Sequence, residues 1–185
     1  SHICIINSNS NKIMKKLIFI FVAAMAFVFS ACEESVEADV YDPATDGIVG
    51  EWQSSGANVA VLLKTYFKVD SIYAKFNDNN TYLVESFASG TKTTYTGVYT
   101  QTKPATGTIW NIKLEQSSPT AVTSEGIFEI TQDATVKTKY SLKYEVVQTT
   151  PSIGATAPTA TAGFGSSSGG ALGTMNVQTF VNIVK

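Results

Sequence analysis

Ser71-Ile72-Tyr73-Ala74-Lys75-Phe76-Asn77-Asp78-Asn79-Asn80-Thr81-Tyr82-Leu83-Val84-Glu85-Ser86-Phe87 alternates apolar and polar side chains on both sides of an Asn/Asp cluster. A period of two puts one set of side chains on a dry face and the other in water, the pattern of a half-buried strand. Asn and Asp accept the backbone angles of tight turns, so the two runs read as a hairpin closed at 77–80.

The same grammar extends outward. From Ile48 onward Thr, Tyr, Val, Ile and Phe recur in short alternating runs broken by Asn, Gly, Pro and Ser clusters, and Ser89-Gly90 marks the next hairpin turn. Strands are predicted over 48–53, 71–76, 81–87, 91–101, 108–115, 126–131, 139–147 and 175–184. The segment 58–69 does not alternate and is expected to form a short helix or a further strand covering one end. Alternation assigns an inward face to Ile72, Ala74, Phe76, Tyr82, Val84, Gly97, Tyr99, Trp110, Ile112, Leu114, Phe128, Ile130, Leu142, Tyr144 and Val146, and to Met175, Val177, Val181 and Ile183 in the last strand. Lys75, Glu85, Asn111, Lys113, Glu129, Lys143 and Glu145 fall on the opposite, wet face. One dry and one wet face predict an all-β fold, an antiparallel eight-stranded barrel with a β-sandwich as the alternative.

Upstream, Lys15 and Lys16 precede an apolar run from Leu17 to Phe29 that ends in Ser30-Ala31-Cys32. The charged start, the short apolar run and the small residues before a cysteine are the layout of a lipoprotein signal, too short for a stable membrane span. The expected organisation is upstream or appended residues over 1–13, a signal peptide over 14–31, an acidic tether over 32–47 and the β domain over 48–185. Cys32 would then be the lipidated first residue of an exported, membrane-anchored chain. Six acids and no lysine fall between Glu33 and Asp46, which favours an extended, self-repelling tether.

Composition excludes several functions. The chain has no arginine, and its single histidine is His2, ahead of the expected signal. Ser-His-Asp and Cys-His machinery, His-bearing zinc sites and arginine clamps are therefore missing from the exported part. No catalytic residue, metal site or cofactor is expected, and the protein is read as a non-enzyme. From Cys32 onward ten lysines face fifteen acids, so no basic track exists for nucleic acid. With Cys4 upstream and Cys32 taken by lipid, no disulfide is available to the core.

Tyr82, Tyr99, Trp110, Phe128 and Tyr144 are the candidate ligand-binding residues: aromatic faces with a few hydroxyls on the dry side of a barrel that holds one small molecule or is filled by side chains. Residues 149–172 form a Thr, Ala, Ser, Gly and Pro tract, and no charged residue lies between Glu145 and Lys185. A tract of that length is a flexible linker, a lid over the barrel mouth, or a surface through which copies or an envelope partner associate. Asp78 and its Asn neighbours lack the glycine and distal glutamate of a calcium loop. Gly163-x-Gly165 lacks the lysine of a phosphate loop.

Ile48-Val49-Gly50-Glu51-Trp52, Phe76-Asn77-Asp78-Asn79-Asn80-Thr81-Tyr82 and Gly97-Val98-Tyr99 together resemble the lipocalin-like lipoproteins of the Bacteroidota. The resemblance implies that Gly50 and Trp52 are the Gly-x-Trp element that opens the first strand and closes the barrel base. It also implies a small apolar ligand or lipid as cargo. The chain departs from the pattern in lacking the late-strand arginine that many lipocalins pack over the tryptophan. Cys32-Glu33-Glu34 resembles the acidic surface-export signal of lipoproteins in that group, implying an outer-membrane, surface-exposed location. Asp70-Ser71-Ile72 resembles its O-glycosylation pattern, with Ser71 as acceptor. The alternatives to ligand carriage are self-assembly or partner capture through the C-terminal tract and last strand, and service as an accessory subunit of an outer-membrane complex.

Overall fold

The structure, a computed structural model, describes residues 41–183. Eight antiparallel strands close into a barrel in sequence order: β1 (Gly50–Ser55), β2 (Val69–Phe76), β3 (Thr81–Ala88), β4 (Thr91–Thr102), β5 (Trp110–Ser118), β6 (Val122–Gln132), β7 (Tyr140–Thr150) and β8 (Gln178–Asn182). The barrel, not the sandwich, is the fold. Helix α1 (Pro43–Asp46) precedes β1, and α2 (Val61–Phe67) links β1 to β2 at the opposite end. Of the two readings for 58–69, the helix is therefore the observed one. It stops at Lys68, which adopts the left-handed conformation (φ 55°) and returns its N–H to the Leu63 carbonyl.

Both predicted hairpin turns form where the local chemistry places them. Asn79 Oδ1 accepts from the Thr81 N–H and hydroxyl, and Asn80 takes φ 63°. Ser89 and Gly90 adopt φ 50° and 80°, the two positive angles that a two-residue turn matched to strand twist requires. Closure needs tight strand approach as well. A Cβ on Gly97 would lie 2.1 Å from the Glu115 carbonyl oxygen, and one on Gly126 2.0 Å from that of Glu145. These two glycines let β4 and β6 coil against their neighbours.

The end carrying the 77–80 turn and α1 is the base, and it is solid. Trp52 is 1% exposed, its indole Nε1 donating to the Ile48 carbonyl at 2.9 Å. The Tyr41 ring meets Trp52 and Tyr140 edge-on at 6.3 and 5.0 Å, and its hydroxyl donates to the Gly47 carbonyl. Gln101 completes the plug by accepting from the Ile48 N–H and donating to the Asp46 carbonyl. Edge-on aromatic pairs of this kind contribute about 0.5–1.5 kcal/mol each beyond their buried area.

Three expectations are corrected. First, the last strand is shorter than 175–184 and has the opposite parity: Gln178 and Phe180 point inward, while Met175 and Ile183 are exposed. Its register sets Phe180 against Leu142 and Gln178 against Tyr144, and a one-residue slip exchanges the faces of a strand. An inward glutamine is tolerated because its amide is satisfied, accepting from the Ala60 N–H at 2.8 Å and donating to the Ser54 hydroxyl.

Second, Glu145 is not on a wet face. It is fully buried on the outside of the barrel beside Ile127 and Val147. Third, the cover over it is the uncharged 149–172 tract, which is neither a lid nor a free linker but a strap across the β6–β7 wall. Gly165 N–H donates to Glu145 Oε2 at 2.6 Å, while the Ser167 N–H and hydroxyl donate to Oε1. Lys143 Nζ sits 4.4 Å from the Phe164 ring centre, and Asn176 Nδ2 donates to the Val146 carbonyl. A buried carboxylate is costly unless hydrogen-bonded, so these donors make the glutamate the strap's anchor.

Candidate functional site

Above the base the barrel is not filled. A cavity of about 420 Å³ occupies its upper half and reaches down to Phe76 and Tyr82 beside the 77–80 turn, opening beside α2 and the 3-10 turn at Gly173–Asn176. Ile72, Ala74, Val84, Leu114, Leu142 and Val146 supply aliphatic wall from four strands, and Phe76, Tyr82, Tyr95, Tyr144 and Phe180 supply rings. Ala60, Leu63 and Phe67 line it from the α2 side at i, i+3, i+7 spacing, one face of a helical turn. Ser86, Gln116, Ser124, Asn176 and Gln178 are the polar contributors, and no charged side chain lines the cavity. The helix also leaves Val61, Tyr66 and Phe67 exposed, so the rim of the mouth is apolar as well.

The five candidate ligand residues divide by level. Tyr82 and Tyr144 line the cavity. Tyr99, Trp110 and Phe128 do not: they belong to the packed lower half. Tyr99 is 1% exposed with its hydroxyl donating to the Asn77 carbonyl, and Trp110 stacks on Phe128 at 5.6 Å and 28°. Alternation correctly places all five inward but carries no information on height along the barrel. Gly50 and Trp52 lie at the base, as described. Ser71 is half-buried in β2, paired with Ser55 and Phe87. Cys32 lies outside the described residues.

Several cavity residues escaped the sequence reading. Tyr95 shares the parity of Gly97 and Tyr99, so extending that alternation by one step reaches it. The Ala60, Leu63, Phe67 spacing was a usable helical signal within the segment left between helix and strand. Gln178 had none, being polar in a strand whose parity is settled only by its neighbours.

Burial pushes the Tyr82 hydroxyl up to about 12. Burial raises Tyr144 further still, with Tyr82 adding to the effect. Both are neutral hydrogen-bond donors at ordinary pH. Among the described residues no cluster of His, Cys, Asp or Glu could hold a metal ion. The arrangement suits reversible binding of an apolar molecule: a mostly apolar, uncharged chamber in the size range of about 300–1,000 Å³ typical of such sites. Comparison with protein-family models, curated proteins and solved structures finds no match.

Proposed function

We propose that this protein binds a small, largely apolar molecule in the upper half of its barrel while lipid on Cys32 tethers it to the outer membrane, exposed at the cell surface. The chamber of about 420 Å³ carries this reading. It is apolar, uncharged and reached through an apolar rim, whereas the lower half of the same barrel is packed solid. The Gly50-x-Trp52 element at a plugged base and the eight-stranded closure support kinship with the lipocalin-like lipoproteins of the Bacteroidota. The lack of histidine and arginine after His2 supports a binding role over a catalytic one. The rival reading, association by strand addition through the C-terminus, is less well supported. β8 is already paired with β7 and β1, and the strap is committed to the barrel's own wall.

Native mass spectrometry on the chain from Glu33, purified from its own cells, tests the carriage. A monomer with a defined extra mass that organic extraction removes is the expected result. Ligand-free oligomers from the same preparation would overturn it in favour of assembly. Replacing Cys32 with Ala is expected to release the protein from membranes, and continued membrane attachment of that variant would refute the anchor.

A further inference from the structure

Tyr82 on β3 and Tyr144 on β7 stand four strands apart in a ring of eight, so their side chains enter the lumen from opposite walls. Both tyrosines border the chamber, so their hydroxyls are open to whatever occupies it. That is unlike the base, where the Tyr41 and Tyr99 hydroxyls donate to backbone carbonyls. A hydroxyl that opens onto a chamber can donate to what occupies it, and two such groups on facing walls can converge on one acceptor. The other polar groups are committed or higher up. Gln178 is used by Ala60 and Ser54, Asn176 by Val146, and Gln116 by the Thr120 carbonyl. Ser86, Tyr95 and Ser124 lie nearer the mouth ends of β3, β4 and β6.

Resting on the carrier reading above, we infer that Tyr82 and Tyr144 recognise the carbonyl oxygen of an uncharged amphipathic ligand inserted with that oxygen leading. A neutral phenol donates a hydrogen bond to a ketone, quinone or ester oxygen, and burial keeps both phenols neutral. An anionic head is disfavoured at this depth because no cation lines the chamber to offset its desolvation.

The test uses the chain from Glu33, which retains every residue of the self-closed barrel. Two neutral dyes are compared: prodan, a naphthyl ketone whose emission moves to the red when its carbonyl accepts a hydrogen bond, and N-phenyl-1-naphthylamine, which has no carbonyl. Tyr82→Phe with Tyr144→Phe removes only the two hydroxyls, so the fold should persist. The double variant is expected to bind prodan about tenfold more weakly, with emission shifted to the blue, and the amine dye unchanged. In competition, 2-undecanone should displace prodan at least about tenfold better than laurate. Equal prodan affinity in the two proteins, or laurate competing as well as the ketone, would overturn the inference while leaving the carrier reading intact. If neither dye binds the unsubstituted protein, the carrier reading itself fails and takes this inference with it.

Discussion

The lower and upper halves of the barrel are built from the same residue types at the same alternating spacing, yet one is solid and the other hollow. In the base, Tyr41, Ile48, Trp52, Tyr99 and Phe128 interlock, and the polar tips of the rings are bound to main-chain carbonyls. In the upper half, Tyr82, Tyr144, Phe180 and the aliphatic residues around them border a chamber. The difference lies in what covers each end. The segment from Tyr41 to Val49 enters the base and is held by Gln101, whereas α2 presents only Leu63 and part of Phe67 to the mouth and leaves Tyr66 and Val61 outside. Filling is thus decided by a few chain-distant residues.

The contrast is open to direct attack. Trp52→Ala should be the most damaging substitution, costing about 3–5 kcal/mol because it opens a void where nothing can relax. Val84→Ala, at the chamber wall, should cost less than about 1.5 kcal/mol because its side chain already faces open space. Urea unfolding of the two variants compares them, and equal losses would mean that the halves are packed alike.

Glu145→Ala should cost about 2–3 kcal/mol by leaving the Gly165 and Ser167 donors unpaired. Limited proteolysis should then cut within 151–172 while amine-dye affinity stays at its original level. A change in that affinity would mean that the strap also governs the mouth. Ser86→Phe pushes a ring into the chamber and should abolish dye binding in a fluorescence titration with a stability change under about 1 kcal/mol, a dissociation between binding and folding that the same change in a solid core would not give.

The smallest effect concerns alkali. Tyr82 and Tyr99, one in each half, are both held up to about 12 by burial. Folding therefore favours their protonated forms: this contribution is fully present below pH 10 and is lost as pH rises from 10 through 12. Near-ultraviolet absorbance should show late-ionising tyrosines whose transition coincides with falling stability. A bound apolar molecule should delay Tyr82 further and leave Tyr99 where it was.

Much of this was legible from local chemistry. Turn residues at 77–80 and 89–90, the period of two, and the Gly97 and Tyr99 parity are consequences of backbone sterics and burial, so strands and hairpins could be read one at a time. The candidate ligand set was half legible, because alternation separates in from out but not high from low. The parity of β8, the burial of Glu145 and the role of the strap were not legible. Each depends on a partner far along the chain: Leu142 for Phe180, Ala60 for Gln178, Gly165 and Ser167 for Glu145.

By itself, then, the amino-acid sequence determined an all-β chain of eight strands with a wet and a dry face, no cysteine pairing in the β domain and no histidine or arginine chemistry after His2. Those properties follow from composition and from interactions within a few residues. Only the tertiary structure decided where the barrel is filled, which tyrosines face the chamber, and that an uncharged tract clamps a buried glutamate on the outer wall. Closing a ring of strands fixes height and register through contacts between distant residues, and a linear pattern does not record them.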